Sequence, residues 1–223
     1  MILMSFFIDT NMAIGYSVVN DKWHNNAVKF FSETEEDIFW SNLVKKEYTE
    51  KLGEIIYLIE TFLKRVALIL KNNKNGFTNY NEFENLIISK TKDISLDKTK
   101  KIKILENFWD KFDFHYEVPE TIYKKFNQYY TGFQNVYFVR DNNLESLMKL
   151  HDCGLDNYLK YLDYAKQLYE WGVHSPDCKI ITDAHDCGLK HDVSFVSADS
   201  KMINMVLEHD TSFLSIIEFK SCN

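Results

Sequence analysis

Residues 193–199 read VSFVSAD, an apolar, β-prone run that closes on an aspartate. The N-terminal stretch ILMSFFID at 2–9 follows the same plan and closes on Asp9. A strand buried on both faces reads as a continuous apolar run, the pattern of a parallel strand covered by helices. Helical patterns follow both stretches, from Asn11 and from about 200 to 208. Between them lies a third short run, IFW at 38–40, with Ser41 placed to cap the next helix. A final run, SFLSIIEF at 212–219, closes the series. Strands alternating with helices imply an α/β fold with helices on both faces of a mainly parallel sheet of four or five strands, because parallel neighbours require crossover connections. In such folds ligands sit beyond the carboxyl ends of the strands. Asp9 and Asp199 are therefore expected at one edge.

The helical stretches fill in around this frame. Asp21 to Thr34 carries Trp23, Ala27, Phe30 and Phe31 at helical spacing, with Asp21 as the expected cap. From Asn42 to Asn72 a proline-free 3.6-residue pattern runs through Leu43, Tyr48, Leu52, Ile59, Leu63 and Leu70. Further helices are expected near 80–89, 97–113, 119–130, 142–151 and 155–172, with no strand among them. The expected division is a core of 1–60 and 173–223 and a helical insertion of 61–172, available to bind substrate, to cover the site, for self-association or for a protein partner.

Bulk properties exclude several classes. Hydrophobic residues at 45% and charged residues at 26% fit a globular chain long enough, at 223 residues, to bury a substantial core. The apolar start is short, lacks a basic leader and is broken by Asp9, so no signal peptide is expected; no transmembrane run is present either, which points to a cytoplasmic protein with no membrane partner. Cys153, Cys178, Cys187 and Cys222 form no CxxC pair and are expected as reduced thiols. A net charge of −7 argues against a general nucleic-acid coat. One segment, KTKDISLDKTKKIK at 90–103, sets six lysines against two aspartates; a solvated face is favoured over a phosphate track.

The segment SPDCKIITDAHDCGLKHD at 175–192 is dense in acids, histidines and cysteines. Ser175 and Pro176 open a helix and Gly188 is expected to end it in a left-handed conformation. At about 100° per residue, with Asp177 at zero, Ala184 falls near −20°, Ile181 near 40° and Ile180 near −60°, whereas Asp183 lies near −120° and Asp186 near 180°. Asp177 thus shares the buried stripe and Asp186 is expected on the far face. A carboxylate on the apolar side is costly without a partner, and a cation is the natural one. The repeat HDCGL at 151–155 and 185–189 suggests zinc ligation by His151, Cys153, His185 and Cys187, but positions 185 and 187 are about 200° apart on a helix and cannot grip one ion. Both copies are expected to end helices. The helix LDNYLKYLDYAKQLYEWG carries Tyr158, Tyr161, Tyr164, Tyr169 and Trp171, which either stack on bases or, more often at such spacing, form core or interface.

Asp9, Glu47 (second turn of the helix after IFW), Asp177 and Asp199 form an all-carboxylate set. Four such groups at one sheet edge cannot all ionise without compensating charge. Hard oxygen ligands suit Mg²⁺ or Mn²⁺, and the set fits two-metal hydrolysis of a phosphodiester.

In this order the blocks resemble the PIN domain family of metal-dependent nucleases. Its first block is matched by Asp9, Thr10 and Asn11, its second by IFWS with Glu47, its third by Asp177, Ile180, Ile181, Ala184 and Gly188, and its fourth by FVSAD with Ser197 and Asp199. The resemblance covers about 1–60 and 173–220. It implies a three-layer, Rossmann-like α/β/α core in which Asp9, Glu47, Asp177 and Asp199 hold Mg²⁺ or Mn²⁺, Asn11 and Ser197 support the carboxylates, and Asp183 is a supporting candidate. The implied activity is endoribonuclease cleavage of single-stranded RNA. A non-catalytic PIN-like module binding RNA or protein is the alternative. The long helical middle departs from compact family members, including the toxins of toxin–antitoxin pairs.

Overall fold

The structure is a computed structural model that describes residues 4–112 and 118–222. Residues 2, 3 and 113, which fall in expected elements, lie outside the described residues. Five strands form one sheet: β1 (Ser5–Ile8), β2 (Ile38–Ser41), β3 (Met148–His151), β4 (Val193–Ser197) and β5 (Glu218–Ser221). The order is β3-β2-β1-β4-β5 and every pairing is parallel. Among the described residues the helices are α1 (Thr10–Ser17), α2 (His24–Glu33), α3 (Asn42–Asn72), α4 (Tyr80–Lys90), α5 (Lys98–Phe112), α6 (Pro119–Leu147), α7 (Leu162–Glu170), α8 (Ser175–Gly188) and α9 (Ser200–Leu207), with a short 3-10 helix at Asn157–Tyr161. The central strands β1, β2 and β4 are buried at every position, which is why they read as apolar runs.

The chain divides into two compact units, 1–51 with 140–223 and 52–139. The first holds the whole sheet. Residues 140–172, expected in the helical insertion, group with the sheet instead. Arg140 Nη1 donates to Tyr16 O at 2.9 Å, and the Tyr48 hydroxyl donates to Asp141 Oδ1 at 2.7 Å. Strand β3 corrects the expectation of helix over 142–151. It pairs in register with β2, from Ile38 opposite Met148 to Ser41 opposite His151. As an edge strand with Lys149 and Leu150 exposed it has no apolar run, and its local sequence continues the pattern of α6; pairing overrides that preference.

The second unit packs around aromatic rings. Phe108 meets Phe126 at 5.0 Å, Tyr129 at 5.5 Å and Phe83 at 5.7 Å between centroids. The lysine-rich segment becomes the end of α4, a turn and the start of α5. Within it Lys101 is buried, and its Nζ donates to Thr91 O at 2.8 Å and Ile94 O at 2.7 Å. That lysine caps a turn rather than tracking phosphates. Among the described residues, no helix is long and apolar enough to cross a membrane.

Four local expectations are corrected. Helix α2 begins at His24, because Asp21 accepts from Trp23 N at 3.1 Å and caps a turn one step earlier. Most of the apolar part of SFLSIIEF lies outside the ladder: Leu214 and Ile216 are buried in an irregular segment, Ile217 N makes the first bond to Val193 O at 2.9 Å, and β5 starts at Glu218. Gly188 is helical and has no positive φ; a Cβ there would sit 1.6 Å from Ser215 O, so the glycine is required by that close approach. The first HDCGL ends strand β3, not a helix, with Gly154 at φ 77° in the turn beyond.

Candidate functional site

Strand order reverses beside β1: β2 and β3 lie on one side, β4 and β5 on the other. The carboxyl ends of β1 and β4 therefore flank a topological switch point, the place where α/β sheets bind ligands. Asp9 follows β1 and Asp199 follows β4. Each caps the next helix, Asp9 accepting from Met12 N at 2.9 Å and Asp199 from Lys201 N at 3.1 Å and Met202 N at 3.2 Å. These are the ordinary contacts of N-cap aspartates, and they aim both acids at the same edge.

Ser197 joins the two. Its hydroxyl donates to Asp9 Oδ2 at 2.6 Å and accepts from Asp199 N at 2.9 Å. Asp9 is 1% exposed. Burial pushes its carboxyl up to about 7; the Ser197 and Met12 hydrogen bonds oppose this, and the Asp177 and Asp199 carboxylates add to it. Asp177, half-buried in the first turn of α8, is also raised, first by burial, then by Glu47, with Asp199 adding and Lys51 and His174 opposing. Asp9 thus feels the charge of Asp177 and Asp199, and Asp177 that of Glu47 and Asp199, so the four segments are linked through these two acids.

Glu47 is held from two sides. The Thr10 hydroxyl donates to its Oε2 at 2.6 Å and Lys51 reaches its Oε1 at 2.6 Å. Asn11, in the same first turn as Thr10, makes no side-chain hydrogen bond among the described residues. Thr10 and Lys51 were not singled out from sequence. Lys51 stands four residues after Glu47, a spacing that pairs charges along a helix; Thr10 is the polar residue between Asp9 and Asn11 in the first block, without a role of its own there.

Asp183 and Asp186 lie elsewhere, on the side of α8 facing the 3-10 helix. The prediction that Asp186 faces outward is corrected: it is buried, bonded to His151 Nε2 at 2.8 Å and to the Tyr161 hydroxyl. Helix α8 is buried without a break from Ile180 to Cys187, so past its first turn no face is left for solvent. His185 Nδ1 accepts from Ser215 N at 2.8 Å, which together with the His151–Asp186 bond accounts for both histidines of the HDCGL repeat. Tyr161 and Tyr164 set their rings edge-on against His185, and Trp171 stacks on His209 at 4.5 Å; Tyr169 stays exposed.

Among the described residues, no three His, Cys, Asp or Glu side chains stand close enough to hold one ion. The four acids are at electrostatic rather than ligating range. Their chemistry still fits a hard divalent cation: all donors are carboxylate oxygens, and two of the carboxyls are driven upward by burial and mutual repulsion that a cation relieves.

Comparison with family models, curated proteins and solved structures gives no match. The fold and the placement of the acids are therefore the grounds for any functional reading.

Proposed function

We propose that this chain is a Mg²⁺- or Mn²⁺-dependent endoribonuclease with a PIN-like core, acting on single-stranded RNA. One observation carries the reading. Asp9, Glu47, Asp177 and Asp199 come from four segments to the carboxyl edge of a parallel sheet at its switch point, near enough to raise the proton affinity of Asp9 and Asp177. N-capping accounts for the place of Asp9 and Asp199, but burial and repulsion among the acids are costs that a bound cation would offset.

In this reading Asp9, Glu47, Asp177 and Asp199 would hold the divalent ions, whose chemistry would be to activate water and offset charge on the leaving oxygen. The chain's own work is orientation. Ser197 fixes Asp9 against Asp199, and Thr10 and Lys51 fix Glu47. Asp9 is set at the end of a strand buried on both sides, which leaves it little freedom to turn away.

The test is cleavage of unstructured RNA by the purified chain with Mn²⁺, Mg²⁺ or chelator. Cleavage that needs the ion and is lost in Asp9→Asn, with the fold retained by circular dichroism, supports the proposal. Cleavage in chelator, or unchanged cleavage by the variant, overturns it. Tight RNA binding without turnover would favour the non-catalytic PIN-like module, a reading favoured by Lys51, which already supplies Glu47 with a positive partner.

A further inference from the structure

Behind α8, away from the four acids, lies a second buried polar group. Asp183 is 2% exposed and Asn157 is 3% exposed. Asn157 Nδ2 donates to Asp183 Oδ1 at 3.1 Å. The two remaining oxygens of this pair, Asp183 Oδ2 and Asn157 Oδ1, are both buried without a hydrogen-bond partner. Both are acceptors when the carboxyl is ionised. An unmade bond at a buried acceptor is costly, and two in one bonded pair demand a reason.

A single proton removes both defects. Placed on Asp183 Oδ2, it turns one orphan acceptor into a donor and gives the other a partner. We infer that Asp183 is a neutral carboxylic acid in the folded protein, joined to the Asn157 amide by two hydrogen bonds, and that this pair latches the 3-10 helix to α8. If the Asn157 amide were turned over, its carbonyl would face Asp183 Oδ1 and the pair would need the same proton.

The surroundings suit a neutral acid. Ser41 from the end of β2 and Cys153 after β3 direct weak hydrogen-bonding groups at the Asp183 carboxyl, short of the geometry that would satisfy Oδ2, and neither they nor Asp186 on α8 itself supplies positive charge. His151 on β3 is the cation-forming group facing Asp183, and its Nε2 is engaged by Asp186. The Tyr161 hydroxyl from the 3-10 helix is likewise spent on Asp186. Burial raises the Asp183 carboxyl above its ordinary value of 3.8, against weaker opposition from Ser41, Asn157, Cys153 and His151.

The pair gives Asp183 a positioning role. It sits six residues after Asp177 on the same helix, and it ties that helix to the 3-10 helix that follows β3. Asp183 then belongs to the backing of the sheet edge and not to the carboxylate set. The inference holds whether or not the chain cuts RNA.

The experiment is a pH titration of the aspartate carboxyl carbons by NMR, with Asp183→Asn identifying the resonance. The expected result is a carboxyl that stays protonated after exposed aspartates have ionised. A resonance that titrates at or below the ordinary range puts an ionised carboxylate there, satisfied by water or a cation, and overturns the inference. The same variant gives a second reading by urea unfolding. An amide repeats both hydrogen bonds, so Asp183→Asn should match the wild-type midpoint at low pH and exceed it as pH rises, because a raised acid loses stability with rising pH. A variant that fails to fold, or is weaker than wild type at every pH, overturns it equally.

Discussion

Replacing Asp9 with asparagine should make the metal-free protein more stable at alkaline pH. The side chain keeps its local roles, since an amide oxygen can accept from Met12 N and an amide nitrogen can donate to Ser197 Oγ. What is removed is a buried charge. The Asp9 carboxyl goes from 3.8 to about 7 on folding. Between those values the folded state binds more protons than the unfolded one, so stability falls as pH rises through that window. At ~1.4 kcal/mol per pKa unit the full gap is ~4 kcal/mol, of which the stretch between about pH 5 and pH 8 contains ~3 kcal/mol. Asparagine does not titrate. Asp177 and Asp183 shift in the same direction in both proteins and largely cancel in the comparison. Urea unfolding of wild type and Asp9→Asn in chelator, at those two pH values, reads the difference directly. The variant should gain ~3 kcal/mol on wild type across the interval. An equal difference at both pH values would refute the reasoning, because Asp9 would then titrate like an exposed aspartate. Adding Mg²⁺ or Mn²⁺ at about a hundred times its dissociation constant should return ~2.7 kcal/mol to wild type and little to the variant.

The remaining predictions concern separate parts of the chain. Glu47→Gln and Asp177→Asn should each lower Mn²⁺-dependent RNA cleavage by about 100-fold or more, equivalent to ~2.7 kcal/mol of barrier, in a single-turnover assay with folding checked by circular dichroism. Gly188→Ala should destabilise by ~3 kcal/mol in denaturant unfolding, since its Cβ would meet Ser215 O at 1.6 Å and backbone must move. Lys101→Met should cost ~2 kcal/mol of stability by leaving the Thr91 and Ile94 carbonyls without their buried donor. An unchanged unfolding midpoint in either of the last two would contradict the packing described.

What could be read from sequence was what local chemistry determines. Strands β1, β2 and β4 are buried on both faces, so apolar runs announce them, and an aspartate after such a run caps the next helix whatever else it does. That combination made Asp9 and Asp199 legible. Strand β3 was not, because an edge strand needs no apolar run and Met148 to His151 becomes a strand only through its partner β2. The same limit explains α8. A helix wheel assigns one buried face, but here the sheet covers one side and the 3-10 helix with α7 the other, so Asp183 and Asp186 are buried although the wheel turns Asp186 outward. Gly188 carries the point furthest. Its place after a helical run suggests a left-handed cap, yet its backbone is helical and the demand comes from Ser215, 27 residues on. The two faces of α8 also separate two fates for a buried acid. Asp177 and Asp9 are raised partly by other carboxylates, a tension that a proton relieves one group at a time and a cation relieves together. Asp183 is raised chiefly by burial and bonded to an amide, a tension that one proton ends. Neighbours therefore decide which acid calls for a metal and which for a proton.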